Sequence, residues 1–236
     1  MNNTRMQRRE RQKNSPILEG FILLIFLFAS FTFMEIILRI NTESIFFNDG
    51  LLFSVLFAGI TSLIIYLAAS FFKGRARTGF VGIALGVVTF LFASQLIYYK
   101  IFKTFYTVFS ARNGGQVLEF LNDIIFALGQ NVLWLILLFI PLIAFTVLSV
   151  MSGKSRYTFS WMERGIAVLI LVVLFGAALL GINMGDKEAN SAYDVYYKNN
   201  YPVASVNRLG LVTSMRLDLQ RTLTGFEPAL APPPLA

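Results

Sequence analysis

Five stretches of this chain are each apolar for about 20 residues, the length a helix needs to cross roughly 30 Å of hydrocarbon. They run from about Ile17 to Ile40, Leu51 to Phe72, Gly79 to Tyr99, Val132 to Met151 and Gly165 to Met184. Inside a bilayer no water reaches the backbone amides and carbonyls. A spanning segment must satisfy them itself, and a lone apolar run can do so only as a helix. The runs therefore predict an all-α integral membrane protein with five transmembrane helices. Charged residues make up 14% of the 236 positions, against about a quarter in a soluble domain, which agrees with that class.

The same composition removes whole classes of chemistry. Cysteine and histidine are both absent. That leaves no disulfide framework and no thiolate nucleophile, and it removes the commonest general base and the commonest transition-metal ligand. The scattered carboxylates form no recognisable catalytic centre, so no catalytic, cofactor-binding or metal residue is assigned. The basic residues behind the net charge of +7 cluster beside apolar spans rather than along one soluble face. Their expected partners are anionic lipid head groups and not nucleic acid.

Orientation follows from lysine and arginine in the short flanks. Arg5, Arg8, Arg9, Arg11 and Lys13 precede the first span; Lys73, Arg75 and Arg77 join the second to the third; Lys154, Arg156 and Arg164 join the fourth to the fifth. The opposite side holds Arg39, Lys100, Lys103 and Arg112. Eleven against four puts the N-terminus in the cytoplasm, and five crossings put the C-terminal tail outside. The expected organisation is a basic cytoplasmic segment over residues 1–16, a five-helix region over 17–184, an extracellular juxtamembrane tail over 185–226 and a proline-rich linker over 227–236, in a multi-pass cell-membrane protein. Asn14, Ser15 and Pro16 read as the entry to the first helix, a capping pair followed by proline where a helix tolerates it best. That span of roughly 24 residues is too long for a signal-peptide core and is read as a retained anchor. Pro141 is expected to kink the fourth span.

Glu35 and Arg39 lie four apart near the outer end of the first span, on one helix face and in the better order for an ion pair. Two readings are open: an interfacial salt bridge that fixes helix depth, or contact with a lipid head group or an outer catalytic module. The third span ends in SQLIYYKIFKTFYTVFS, where Gln95, Tyr98, Tyr99, Lys100 and Lys103 form an amphipathic outer rim, continued at helical spacing by Phe102, Phe105, Tyr106 and Phe109. Tyrosine and lysine at a bilayer boundary serve as anchors; the alternative is a cationic, aromatic platform for phospholipid. Asn113-Gly114-Gly115 breaks that helix, and QVLEFLND begins another amphipathic turn with Glu119 and Asp123 on one side. An outer loop of about 32 residues leans towards function. Gly82 and Gly86 make a GxxxG that would allow close helix contact.

Beyond Gly185 the chain turns polar and tyrosine-rich, and SVNRLGLVTSMRLDLQRTLTGF, residues 205–226, then reads as one extracellular amphipathic helix. Leu209, Val212, Met215, Leu219, Leu223 and Phe226 fall on one stripe, with Ser214 and Arg221 opposite. Arg216 falls close to the stripe, where it would snorkel towards phosphates of the outer leaflet, and Asp218 can pair with Arg221. The closing FEPALAPPPLA has the composition of a semi-rigid linker, so the chain is expected to be the front portion of something larger or a product of cutting.

Several of these features together resemble the membrane region of lipoteichoic acid synthases. They are the five spans, the E-x-x-x-R of Glu35 and Arg39, the Ile97-Tyr98-Tyr99-Lys100-Ile101-Phe102 rim, and the tail pattern Leu209-Gly210-Leu211-Val212-Thr213 … Met215-Arg216-Leu217-Asp218-Leu219. What the resemblance implies is an anchor ahead of an extracellular sulfatase-like domain. That domain transfers glycerol phosphate from phosphatidylglycerol to a growing polymer, using a threonine nucleophile and a divalent metal, typically manganese. No residue here matches the nucleophile or the metal ligands, so no cofactor is expected in this chain and manganese is expected only in the catalytic domain. The implied role is a lipid-presenting anchor. Its implied partners are phosphatidylglycerol, a C-terminal sulfatase-like domain and other cell-envelope enzymes. Glu35, Arg39, Tyr98, Lys100, Lys103, Arg216 and Asp218 are the candidate contacts to lipid or to the catalytic domain. The rival roles are a non-catalytic scaffold for envelope enzymes and a transporter or flippase subunit, which would need polar residues converging at mid-membrane.

Overall fold

Apolar length decides the architecture. The computed structural model describes residues 2–43, 46–108, 120–151, 158–198 and 201–225, with side chains from residue 20 onward. Five helices carry apolar windows long enough to cross a membrane: α1 (Asn2–Thr42), α2 (Asp49–Ser70), α3 (Gly74–Phe102), α5 (Val132–Met151) and α6 (Trp161–Met184). The short α4 (Leu121–Gln130) precedes α5. The tail forms α7 (Ala192–Tyr197), α8 (Pro202–Leu209) and α9 (Leu211–Thr224). No strand occurs among the described residues. Phe109, Arg112, the Asn113–Gly115 break, Glu119, Lys154, Arg156, Phe226 and the proline-rich 227–236 lie outside the described residues.

Several boundaries differ from expectation, and local chemistry accounts for them. α1 runs unbroken through position 16 and does not begin at Pro16, because the arginine, glutamine and lysine before it are good helix formers. α6 begins at Trp161, four residues earlier than the apolar run. Ser160 sets that start with a capping box: its hydroxyl accepts the Glu163 amide at 3.2 Å, and its own amide donates to Glu163 Oε2 at 2.8 Å. α3 ends at Phe102, where Lys103 turns left-handed (φ 55°), so Phe105 and Tyr106 do not continue the helix. Gln95 explains that stop. Its amide oxygen accepts the Tyr106 amide and its nitrogen donates to the Tyr106 carbonyl, both at 2.8 Å, which folds the chain back onto α3.

α3 is the most enclosed span, with 44% of its apolar window buried against 11% for α5, which places α5 at the periphery. Leu27, Phe31 and Met34 of α1 meet Leu85, Phe92 and Leu96 of α3 and Leu138 of α5 in the main core. Phe57 and Ile60 of α2 join Ala178 and Ile182 of α6 in a second cluster. Large apolar side chains such as Ile64, Ile83, Phe90, Ile136 and Val172 stay exposed. In a bilayer they meet acyl chains as apolar as themselves, so no penalty attaches to them. Small polar residues at the same depth bond their own helix: Ser30 donates to the Phe26 carbonyl and Ser62 to the Ala58 carbonyl, each at 2.7 Å.

The GxxxG does not make a close helix crossing. A Cβ on Gly82 would meet Phe145 at an ordinary 3.6 Å, and one on Gly86 would meet nothing within 4 Å. At the end of the bundle opposite the tail, Arg77 donates to the Phe72 carbonyl and lies 4.7 Å from the Phe159 ring centroid. Arg164 there donates to the Ser70 carbonyl at 2.8 Å. These two cations fasten the α2–α3 corner to the start of α6 as well as charging that end.

Candidate functional site

The tail does not hang from the bundle; it is docked into it. The stretch 205–226 is not one helix. It breaks at Gly210, whose φ of 81° and ψ of 162° suit glycine and strain residues bearing a Cβ. The break makes a sharp corner between α8 and α9, and that corner sits on the C-terminal end of α1 and the N-terminal end of α2. A Cβ on Gly210 would come within 2.8 Å of Glu35 Oε1. One on Gly50, in the first turn of α2, would lie 2.0 Å from the Asn207 carbonyl oxygen. Two glycines thus let the α8–α9 corner approach the α2 backbone closely, with the Glu35 side chain of α1 against it.

The end of α1 grips the corner through Glu35 and Arg39 on one face and Glu43 just past its last residue, spaced four apart. Glu35 Oε1 accepts the Leu211 amide at 2.7 Å and also faces the Val212 amide, so a carboxylate caps the otherwise uncapped start of α9. Arg39 reaches the Asn207 carbonyl at 3.2 Å, the Phe46 carbonyl at 3.0 Å and the Asn48 side-chain oxygen. Its salt bridge is to Glu43, at 3.1 Å with both side chains 5% exposed. The expected Glu35–Arg39 ion pair is therefore replaced. Backbone amides offer Glu35 a better-directed partner, and the arginine fork turns to the next acid along. Asn207 closes the circuit when its amide nitrogen points inward, donating to Glu43 Oε1 and the Val203 carbonyl at 3.1 Å each. Burial pushes the Glu43 carboxyl above its ordinary value, while Arg39 and the Asn48 amide pull it down.

α9 is then held along its length by polar contacts. Asp218 Oδ2 accepts the Val108 amide at 2.5 Å, and Gln95 Nε2 approaches Met215 Sδ at 3.2 Å. Arg221 donates to the carbonyls of Val195 and Tyr196, at 2.8 and 3.0 Å, near the end of α7. Burial lowers the Arg221 guanidinium and neighbouring Asp218 raises it. The expected facing holds over the first half of the stripe, where Leu209 is buried and Val212 and Met215 pack on the core, and fails over the second half. Ser214, Leu217, Asp218 and Arg221 are buried, while Leu219 and Leu223, on the expected apolar stripe, are 47% and 77% exposed. The reason is that the cradle beneath α9 is mixed: Leu211 and Leu217 enter the apolar clusters, while polar groups in need of partners turn Ser214, Asp218 and Arg221 inward beside them. A hydrophobic periodicity cannot anticipate such a surface.

Arg216 is the exposed cation of α9. It lies 5.9 Å from the Tyr196 ring centroid, makes only long contacts to Tyr196 Oη and Gln220, and borders an apolar groove of about 510 Å³ between α2 and α6. On the far side of the tail face, Tyr98 packs on Phe102 with centroids 4.5 Å apart and on Tyr106 at 5.4 Å. Lys100 Nζ lies 3.4 Å from the Asn41 carbonyl, and Tyr99 Oη donates to the Thr42 carbonyl at 2.8 Å, so both serve the C-terminal carbonyls of α1. Lys103 is exposed. An apolar cavity of about 610 Å³ lies between α3, α4 and α5, and a polar one of about 670 Å³ adjoins it at Lys100 and Lys103.

The seven candidate residues thus fall in three places. Glu35, Arg39 and Asp218 hold the tail, Arg216 stands alone over a groove, and Tyr98, Lys100 and Lys103 rim the paired cavities. Sequence reasoning missed Glu43, Asn48, Gly50, Asn207 and Gly210 in the docking corner. The repeat of Glu35, Arg39 and Glu43 at one helical step was the signal available. Among the described residues no group of histidine, cysteine and carboxylate side chains could hold a metal ion.

Neither a curated relative nor a solved structure matches the chain. The family model of the lipoteichoic acid synthase N-terminal domain matches residues 1–224, covering the five spans, the docking corner and α9 together. With that match lying over a five-span bundle and its docked tail, the chain belongs to the lipoteichoic acid synthase N-terminal domain family and is a membrane anchor of that kind.

Proposed function

We propose that this chain is the lipid-presenting anchor of a phosphoglycerol transferase that draws on phosphatidylglycerol at the outer leaflet. In this reading the tail lies outside the cell and a sulfatase-like catalytic module follows α9. The observation that supports it most is the docked corner, where Arg39 and Glu43 hold Asn207 and Glu35 holds Leu211. A flexible tether would let a module drift away from the head groups. A tail packed into the bundle holds one at constant height and orientation, so the catalyst searches a thin layer rather than a volume. The asymmetry of lysine and arginine between the two faces supports the outward placement of that tail.

Joining a family member's catalytic module behind α9, and reconstituting the fusion with phosphatidylglycerol and manganese, tests the reading. Diacylglycerol should be released at least about tenfold faster than by the same amount of free module. A fusion no faster than the free module removes the reading, as does a reporter behind residue 236 that is active only in the cytosol.

A further inference from the structure

The paired cavities between α3, α4 and α5 have the shape and polarity of one amphiphile. The inner one is lined by Phe90, Ala93, Ile97, Leu128, Leu135 and Phe139, with Ser94 as a small polar exception and the Tyr98 and Tyr106 rings near its mouth. The outer one presents Lys100, Lys103, Gln130 and Asn131, with Asp123 as its acid. Ile101, Phe102 and Phe120 line both, and the Phe102 and Phe120 rings meet edge to face at 5.3 Å, so the two spaces share one wall. Apolar character therefore gives way to positive charge within two turns of α3.

Length decides what fits. From Phe90 to Phe102 the α3 axis rises about 18 Å at 1.5 Å per residue, close to the roughly 15 Å of one leaflet's hydrocarbon. The whole of α3 is about 43 Å long by the same rise, more than the hydrocarbon core, so its last turn stands among the head groups. An acyl chain lying along α3 would end where Lys100 and Lys103 begin. Among the described residues, a zwitterionic or neutral amphiphile would leave two ammonium groups facing one carboxylate, whereas a phosphodiester would complement them. Asp123 lies in the first turn of α4, where a carboxylate is favoured by the helix itself. Its exposed acid and the Gln130 and Asn131 amides leave room for hydroxyl or amide contacts beside the phosphate.

We infer that this groove is a binding site for a single anionic phospholipid, with one acyl chain in the inner cavity and its phosphodiester between Lys100 and Lys103. The inference deepens the lipid-presenting reading and shares its outward placement of the tail face. The groove under Arg216 is the weaker competitor, because among the described residues lining it there is one cation where the paired cavities have two.

The test is lipid retention by the full chain, purified from detergent after incubation with phosphatidylglycerol or phosphatidylcholine and read by native mass spectrometry. Wild type should retain about one phosphatidylglycerol, and at least about tenfold less phosphatidylcholine. Lys100→Gln combined with Lys103→Gln should abolish that preference, while Arg216→Gln keeps it. Ser94→Trp, which fills the inner cavity from an exposed position and leaves the lysines in place, should remove retention of both lipids. It keeps the question open to decision if the double variant does not fold. Equal retention of the two lipids by wild type, or a preference that survives in the double variant or in Ser94→Trp, overturns the inference. Retention is read without any transferase activity. Its failure would leave the anchoring reading standing, and failure of the fused-module assay would leave the lipid site standing.

Discussion

Arg39 Nη1 donates to the backbone carbonyl of Asn207 at 3.2 Å, joining the first membrane helix to the tail across 168 positions of sequence. The same guanidinium reaches the Phe46 carbonyl, Asn48 and Glu43, so one planar fork organises the start of α2 and the end of α8 together. Lysine carries the charge but cannot span these directions. Arg39→Lys should lower stability by about 1–3 kcal/mol and raise amide exchange over residues 202–214. Unchanged exchange there would show that the corner does not depend on the fork.

Glu35 acts on the next turn. Its carboxylate is the side-chain cap of α9, so Glu35→Ala should cost about 1–2 kcal/mol and loosen the amides of Leu211 and Val212 first. Glu35→Gln keeps an acceptor oxygen and should lose less. Exchange rates resolved residue by residue would separate the two variants.

The glycines make a sharper contrast. Gly50→Ala would put a methyl 2.0 Å from the Asn207 carbonyl oxygen, and Gly210→Ala adds a strained φ to a 2.8 Å approach to Glu35. Each should undock the tail, detected as proteolysis between α7 and α9. Gly86→Ala, in the more conspicuous GxxxG, meets nothing and should be neutral or slightly stabilising.

Two arginines on α9 should behave oppositely. Arg221 is buried on the carbonyls of Val195 and Tyr196, and Arg221→Gln should destabilise by about 1–3 kcal/mol. Arg216→Gln should change thermal stability by less than about 0.5 kcal/mol. Similar melting shifts for both would contradict the observed facing of the helix.

Glu43 supplies a pH signature. Because burial raises its carboxyl above the ordinary value of 4.5, the folded chain holds this proton to higher pH than the unfolded chain does. Its contribution is fully present below 4.5 and is lost as pH rises through the raised folded value. The charged groups facing it are Arg39, Arg208 and Glu35. The difference in unfolding free energy between wild type and Glu43→Gln should therefore fall as pH rises from 4.5, followed by denaturant titration at each pH. A difference that grows with pH would reverse the assignment.

The spans were legible because a bilayer imposes a rule on composition that needs no partner. An apolar run such as Val132–Met151 must be a helix wherever it packs, and its predicted bounds match those observed. Elsewhere the bounds moved more: α1 runs back to Asn2 and α3 to Gly74, and caps such as Ser160 move the ends. The resemblance carried in Glu35, Arg39 and the Leu209–Leu219 pattern also led to the right family.

The tail was legible only as an element and not as a surface. Periodicity in residues 205–226 announced a helix, yet it could not show that Gly210 would bend it or that Asp218 and Arg221 would face inward. Hydrophobic periodicity reports the side a helix would bury against something greasy. Besides the apolar clusters that take Leu211 and Leu217, the groups that received α9 were polar: a carboxylate of α1, the Gln95 amide of α3, the Val108 amide and the carbonyls at the end of α7. Membership of the membrane was therefore determined by sequence alone, since the bilayer acts on each segment separately. The seating of the tail was decided only in three dimensions, because a hydrogen bond needs both partners at contact distance and most of these lie more than a hundred residues apart.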